Sequence, residues 1–183
     1  MTVTLRVLLV DDHPVVRDGL RWLFESAAGV EVVGEAGNGE TAIRLVGELV
    51  PDVVLMDLAM PGMDGVEATR RITVASPGTA VLVLTMSDSD ASLVAAVTAG
   101  ASGYVLKGAG QEDLLRATRA VADGQATFGS GVARRLLALV KAAHPDGGVF
   151  PELTARERQI LELMARGQGN AEIAHRLVVT EKT

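Results

Sequence analysis

Five polar side chains stand where short apolar runs break off. Asp11 and Asp12 follow LRVLLV, Asp57 follows VVLM, Thr85 follows AVLVL and Lys107 follows GYVL. Three carboxylates brought together would repel one another unless a hard cation sat among them. Mg²⁺, or Mn²⁺ in its place, bound through a few carboxylates plus waters fits such a set. A metal held by so few protein oxygens keeps positions open for a phosphoryl group. Lys107 could then neutralise the remaining negative charge while the Thr85 hydroxyl hydrogen-bonds a phosphoryl oxygen. Asp57 is the natural covalent acceptor, since aspartyl phosphates are known intermediates of phosphoryl transfer.

Such chemistry requires residues 45 positions apart, Asp12 and Asp57, to meet. From residue 5 to about 124, apolar β-rich runs alternate with stretches of helical period, the pattern of βα units around a parallel sheet. Strands are expected at 5–10, 30–34, 53–56, 80–84 and 103–106, and helices near 14–27, 40–49, 65–75, 91–99 and 111–122. Four strands are near-continuous apolar runs, as strands covered on both faces should be, whereas VEVVG at 30–34 alternates and suits an edge. The fold class is therefore α/β: a flavodoxin-like, doubly wound, five-stranded parallel sheet in the order 2-1-3-4-5. In that order strands one and three are neighbours, and ligands bind beyond the carboxyl ends of the strands at this switch point. Asp11, Asp12 and Asp57 would converge there, with Thr85 and Lys107 on the same rim. The second strand contributes nothing to it.

Simpler readings accompany each residue. A lone aspartate at a strand end is commonly a cap or turn residue, Lys107 could be a solvated lysine, and Thr85 could satisfy only backbone. Joint placement on one rim favours the chemistry. Asp64 reads as the N-cap of the third helix, and Asp88 and Asp90 as caps of the fourth. His13 could ligate a metal, but imidazole suits softer metals than Mg²⁺, and the residue also opens a helix.

The 183 residues hold one full domain and a smaller second one, and 48% hydrophobic content is enough for a core. No cysteine is present, so disulfide and zinc-thiolate frameworks are excluded. No apolar run could span a bilayer and no leader precedes the first strand, so a cytoplasmic protein without membrane contact is expected. The net charge of −6 lies wholly in residues 1–150, which carry 12 basic and 18 acidic side chains. Bulk charge thus disfavours nucleic-acid binding by the whole chain. Neither a Walker lysine loop nor GxGxxG occurs, so the phosphoryl donor must come from elsewhere. An aspartate-nucleophile phosphohydrolase would need a second acid two residues beyond Asp57, and that position is Ala59. The chain is therefore expected not to be an enzyme, beyond catalysing gain and loss of its own phosphate.

The stretches LVDDHPVVRDGL, LMDLAMPGMDGVEATRRI, VLTM and AGASGYVLK, recurring in order on these elements, resemble receiver domains of NarL/FixJ-type response regulators. The resemblance implies a two-component system in which a sensor histidine kinase phosphorylates Asp57. It implies Asp12, Asp57 and the Ala59 carbonyl as metal ligands, and Asp11 as an acidic neighbour acting through water. It also implies Thr85 and Tyr104 as the switch pair with Lys107, Tyr104 read alone being a core aromatic with its hydroxyl at the rim. One departure is Gly108 after Lys107, where many receivers place proline.

The tail LTARERQILELMARGQGNAEIAHRLVVTEKT opens with a capping box, Thr154 and Glu157, and resembles the start of a LuxR-type helix-turn-helix domain at Glu157, Gly167, Asn170, Glu172 and Ile173. A generic helical hairpin is the alternative. The expected organisation is a receiver over 1–124, a linker with one helix over 125–150, and an incomplete helix-turn-helix domain over 151–183 that lacks the recognition helix. Promoter DNA would then be a partner of the intact regulator and not of this shortened chain. A homodimer is a further candidate assembly.

Overall fold

The computed structural model describes residues 4–87, 89–128 and 132–143. The chain divides after Gly129 into two compact units. In the first, five βα pairs follow one another: β1 (Leu5–Val10), α1 (Pro14–Glu25), β2 (Val30–Ala36), α2 (Gly39–Leu49), β3 (Val53–Met56), α3 (Gly65–Ala75), β4 (Ala80–Thr85), α4 (Asp90–Thr98), β5 (Gly103–Leu106) and α5 (Gln111–Ala122). A short β6 (Thr127–Phe128) closes this unit, and α6 (Val132–Ala143) belongs to the second. The helix-turn-helix reading of 151–183 lies outside the described residues.

The sheet runs β2-β1-β3-β4-β5-β6, with every pairing parallel. Five of these strands stand in the expected order, with β2 at the edge; the expectation of a five-stranded sheet is corrected to six strands among the described residues. Two residues are too short to carry a period, so β6 left no trace in the apolar pattern. It forms because the chain turns back at Gly124 (φ 77°) and Thr127 settles against β5. Gly103 permits that approach: a Cβ there would stand 2.6 Å from the Thr127 carbonyl oxygen.

Alternation along each strand sorts the core into two layers. Val7, Leu9, Val53, Leu55, Leu82, Leu84 and Val105 pack with Phe24 of α1 and Leu114 and Val121 of α5. Leu8, Val10, Val54, Met56 and Val81 pack with Ala42 and Val46 of α2 and Ala68 and Ile72 of α3. All four residues of β3 are buried. The sheet is thus covered on both faces, and polar side chains gather at the carboxyl ends of its strands, Asp11, Asp57 and Thr85 among them.

Candidate functional site

The parallel pairings of β1 align its carboxyl end with those of β2 and β3. Asp11 N–H donates to the Ala36 carbonyl at 3.1 Å and Asp57 N–H donates to the Val10 carbonyl at 2.8 Å, so both aspartates leave the sheet at one level. The Asp11, Asp12, His13 and Asp57 side chains each offer a ligand atom, all within 4.8 Å of one another. The loop after β3 folds back tightly, with Gly65 N–H on the Leu58 carbonyl at 3.0 Å. A Cβ on Gly65 would lie 1.9 Å from the Asp57 carbonyl oxygen, so only glycine allows α3 to start there. Ala59, in that loop, is exposed on the rim.

Lys107 reaches over β4 to the acidic group. Its Nζ lies 2.6 Å from Asp11 Oδ2 and 3.0 Å from Asp57 Oδ2. Burial works against its charge, but hydrogen bonds to Asp11 and Asp57 and their negative charge outweigh it and raise its pKa above the ordinary value. Asp11 and Asp57 are almost wholly buried. Asp12 Oδ1 is shut off from solvent and lacks a hydrogen-bond partner; His13 Nδ1 approaches to 2.8 Å, an ion-pair distance without hydrogen-bond geometry. An orphaned carboxylate oxygen facing two other carboxylates is the donor set a hard divalent cation takes. His13 does open α1 as expected, without a side-chain cap bond, while its ring faces the acidic pair.

Thr85 is the last residue of β4 and is buried. Its carbonyl accepts from Lys107 N–H at 2.9 Å and its hydroxyl oxygen accepts from Ser87 N–H at 3.1 Å. Tyr104 stands one strand position from Val105, buried, and its hydroxyl donates to the Ser87 carbonyl at 2.7 Å. Ser87 therefore joins the two expected switch residues, a part the sequence did not reveal because it runs through main-chain atoms. After Lys107, Gly108 lies in a turn closed by Ala109 N–H on the Leu106 carbonyl at 2.9 Å. Asp64 caps α3 through Glu67 N–H at 2.8 Å, as expected. The cap of α4 is Ser89, which accepts from Ser92 N–H at 3.1 Å, and Asp90 occupies the first helical turn, so the capping role expected of Asp90 is corrected. Asp88 lies outside the described residues.

Two further residues adjoin the site unforeseen. Arg17 of α1 donates from Nη1 to the Asp11 carbonyl at 2.6 Å and from Nε to Glu35 of β2 at 3.1 Å. Arg21 donates from Nε to the other Glu35 oxygen at 2.6 Å. Burial pushes the Glu35 carboxyl upward, but the hydrogen bonds from Arg21 and Arg17 hold it below its ordinary value. Among the described residues, no helix is long and apolar enough to cross a membrane.

Residues 7–119 match the family model described as response regulator receiver domain, and residues 151–183 match that of the bacterial regulatory proteins of the luxR family. The chain is 41% identical over 179 residues to the nitrate/nitrite response regulator protein NarL of Escherichia coli (strain K12), covering 97% of this chain and 82% of the relative. It resembles the crystal structure of the response regulator ChrA of a heme-sensing two-component system at 40% identity and a TM-score of 0.63, over 97% of this chain and 83% of that one. A structure of two RcsB dimers bound to two parallel DNAs matches at 30% identity and a TM-score of 0.67, over 97% of this chain and 84% of that one.

Proposed function

The chain belongs to the two-component response regulators of the NarL/LuxR type, joining a receiver domain to a helix-turn-helix DNA-binding domain, and from that membership we propose that Asp57 is its phosphoacceptor. The observation that carries the assignment is the buried Asp57 carboxylate, held by Lys107 at 3.0 Å beside the Asp11 and Asp12 carboxylates. A phosphohistidine on a sensor kinase is the donor: its N–P bond breaks as an O–P bond to an Asp57 carboxylate oxygen forms. Asp12, Asp57 and the Ala59 carbonyl would hold Mg²⁺ or Mn²⁺ directly, and Asp11 through a water. When bound, that ion supplies positive charge against the phosphoryl oxygens.

Lys107 already spans two carboxylates and would take a phosphoryl oxygen as its further partner. The Thr85 hydroxyl oxygen accepts from Ser87 and so keeps its own proton to donate to that phosphoryl group. Moving Thr85 draws on Ser87, whose carbonyl holds Tyr104. This chain of contacts supports a two-state surface biased by phosphate at Asp57.

The receiver and helix-turn-helix matches support a histidine kinase and promoter DNA as partners in a cytoplasmic regulator, and the RcsB dimers on DNA support a homodimer as the DNA-bound form. No separate metabolite is turned over. Acetyl phosphate with Mg²⁺ should add one acid-labile phosphate to the protein, and Asp57→Asn should abolish the labelling. Equal labelling of that variant would refute the assignment.

A further inference from the structure

We propose, resting on the metal site just assigned, that Arg17 is its positioning residue: clamped by Glu35, the guanidinium fixes the Asp11 carbonyl and thereby the peptide plane that presents Asp12 to Asp57. Besides the Lys107 and His13 ring contacts to its carboxylate, Asp11 is held at three points. Its N–H is on Ala36, its Oδ1 accepts from His13 N–H at 2.9 Å, and its carbonyl takes Arg17 Nη1 at 2.6 Å. The carbonyl belongs to the Asp11–Asp12 peptide, so its direction sets where the Asp12 side chain starts. Asp12 has no hydrogen-bonded anchor of this kind: its Oδ1 lacks a hydrogen-bond partner and has the mostly exposed His13 ring beside it, Nδ1 at 2.8 Å. The orientation of that carboxylate is thus inherited from the main chain that Arg17 holds.

The guanidinium suits the task because it is a planar fork with donors in fixed directions. Nε rests on one oxygen of Glu35 while Nη1 reaches the carbonyl, so rotating either contact away breaks both. Glu35 cannot turn freely, since Arg21 occupies its other oxygen. Through Glu35, β2 acts on the rim to which it contributes no side chain. Arg21 provides the internal comparison: it shares the Glu35 partner and the helix, but it makes its other ion pair with Glu25, away from Asp11.

The experiment uses the full chain and Mn²⁺ as probe, with free ion counted by electron paramagnetic resonance and folding checked by thermal melting in EDTA. Arg17→Met keeps the aliphatic stem and removes every donor. Loss of an outer partner of a metal ligand typically weakens binding at least about tenfold, and that loss is expected here. Arg17→Lys should recover most of the affinity, because one ammonium can still reach the carbonyl, and Arg21→Met, which loosens Glu35 but leaves the Arg17 contact to the Asp11 carbonyl in place, should lose clearly less affinity than Arg17→Met. If Arg17→Met does not fold, Glu35→Gln carries the test through a loosened clamp and should also weaken binding. Equal affinities for wild type and Arg17→Met, or equal losses in Arg17→Met and Arg21→Met, would overturn the positioning role alone. A wild-type chain that binds no Mn²⁺ would overturn the metal site and the positioning role together.

Discussion

Asp12→Asn should make the metal-free protein more stable while weakening its hold on divalent cations. One Asp12 oxygen lies within 4.8 Å of an oxygen from each of Asp11 and Asp57, and the Lys107 ion pairs run to those two partners. Two like unit charges at 4.8 Å repel by about 3.5 kcal/mol at an effective dielectric constant of about 20. The substitution removes two such repulsions and breaks no direct ion pair with Lys107, whose longer-range attraction to Asp12 offsets part of the gain. The Asp12 side chain is 25% exposed, and screening by solvent and salt reduces the expected net gain to about 1–3 kcal/mol. The assay is urea unfolding at pH 8 in EDTA, where histidine is ordinarily uncharged, repeated in excess Mg²⁺. At a hundredfold excess over its dissociation constant, Mg²⁺ should stabilise the wild type by about 2.7 kcal/mol. The variant should lose most of that increment, so the gap between the two proteins narrows or reverses when metal is added. An Asp12→Asn protein no more stable than wild type in EDTA would refute the electrostatic reasoning.

Lys107→Ala strands the buried Asp11 and Asp57 carboxylates without their ammonium. Unfolding should show a loss of about 3–5 kcal/mol in EDTA, and a loss below about 1 kcal/mol would count against the ion pairs. The same lysine should set an alkaline limit. Its raised pKa means that its stabilisation is complete below the ordinary value of 10.5 and is lost as pH climbs through the higher folded-state value. Glu35 should act at the acid end. Its depressed pKa contributes stability that is present above the ordinary 4.5 and lost as pH falls through the lower folded value, so Glu35→Gln should flatten the stability curve there. Val50, exposed and left-handed at φ 46° where α2 ends, carries a steric cost of about 1–2 kcal/mol. Val50→Asn should therefore raise stability by about 1 kcal/mol, read as an upward shift in melting temperature.

The strands were legible because burial on both faces writes them as unbroken apolar runs, as in VVLM, and β2 was legible as an edge because its pattern alternates. The rim followed from topology: once β1 and β3 are neighbours, residues directly after them must meet. What escaped notice acts through atoms that no side-chain pattern encodes. Arg17 works on the Asp11 carbonyl and Ser87 on Thr85 and Tyr104 through its own N–H and carbonyl. The cap of α4 was misplaced because SDSD offers four capping residues in succession and spacing alone does not choose among them. For β6, the determinant is the missing side chain at Gly103, on the strand opposite.

Borohydride reduction of the chain after treatment with acetyl phosphate and Mg²⁺, followed by peptide mass spectrometry, locates an acyl phosphate by converting that aspartate to homoserine. Conversion at position 57 alone, absent when EDTA replaces Mg²⁺, is the expected outcome. Homoserine at Asp11 or Asp12 instead, or conversion at 57 that is indifferent to the metal, would contradict the site described above.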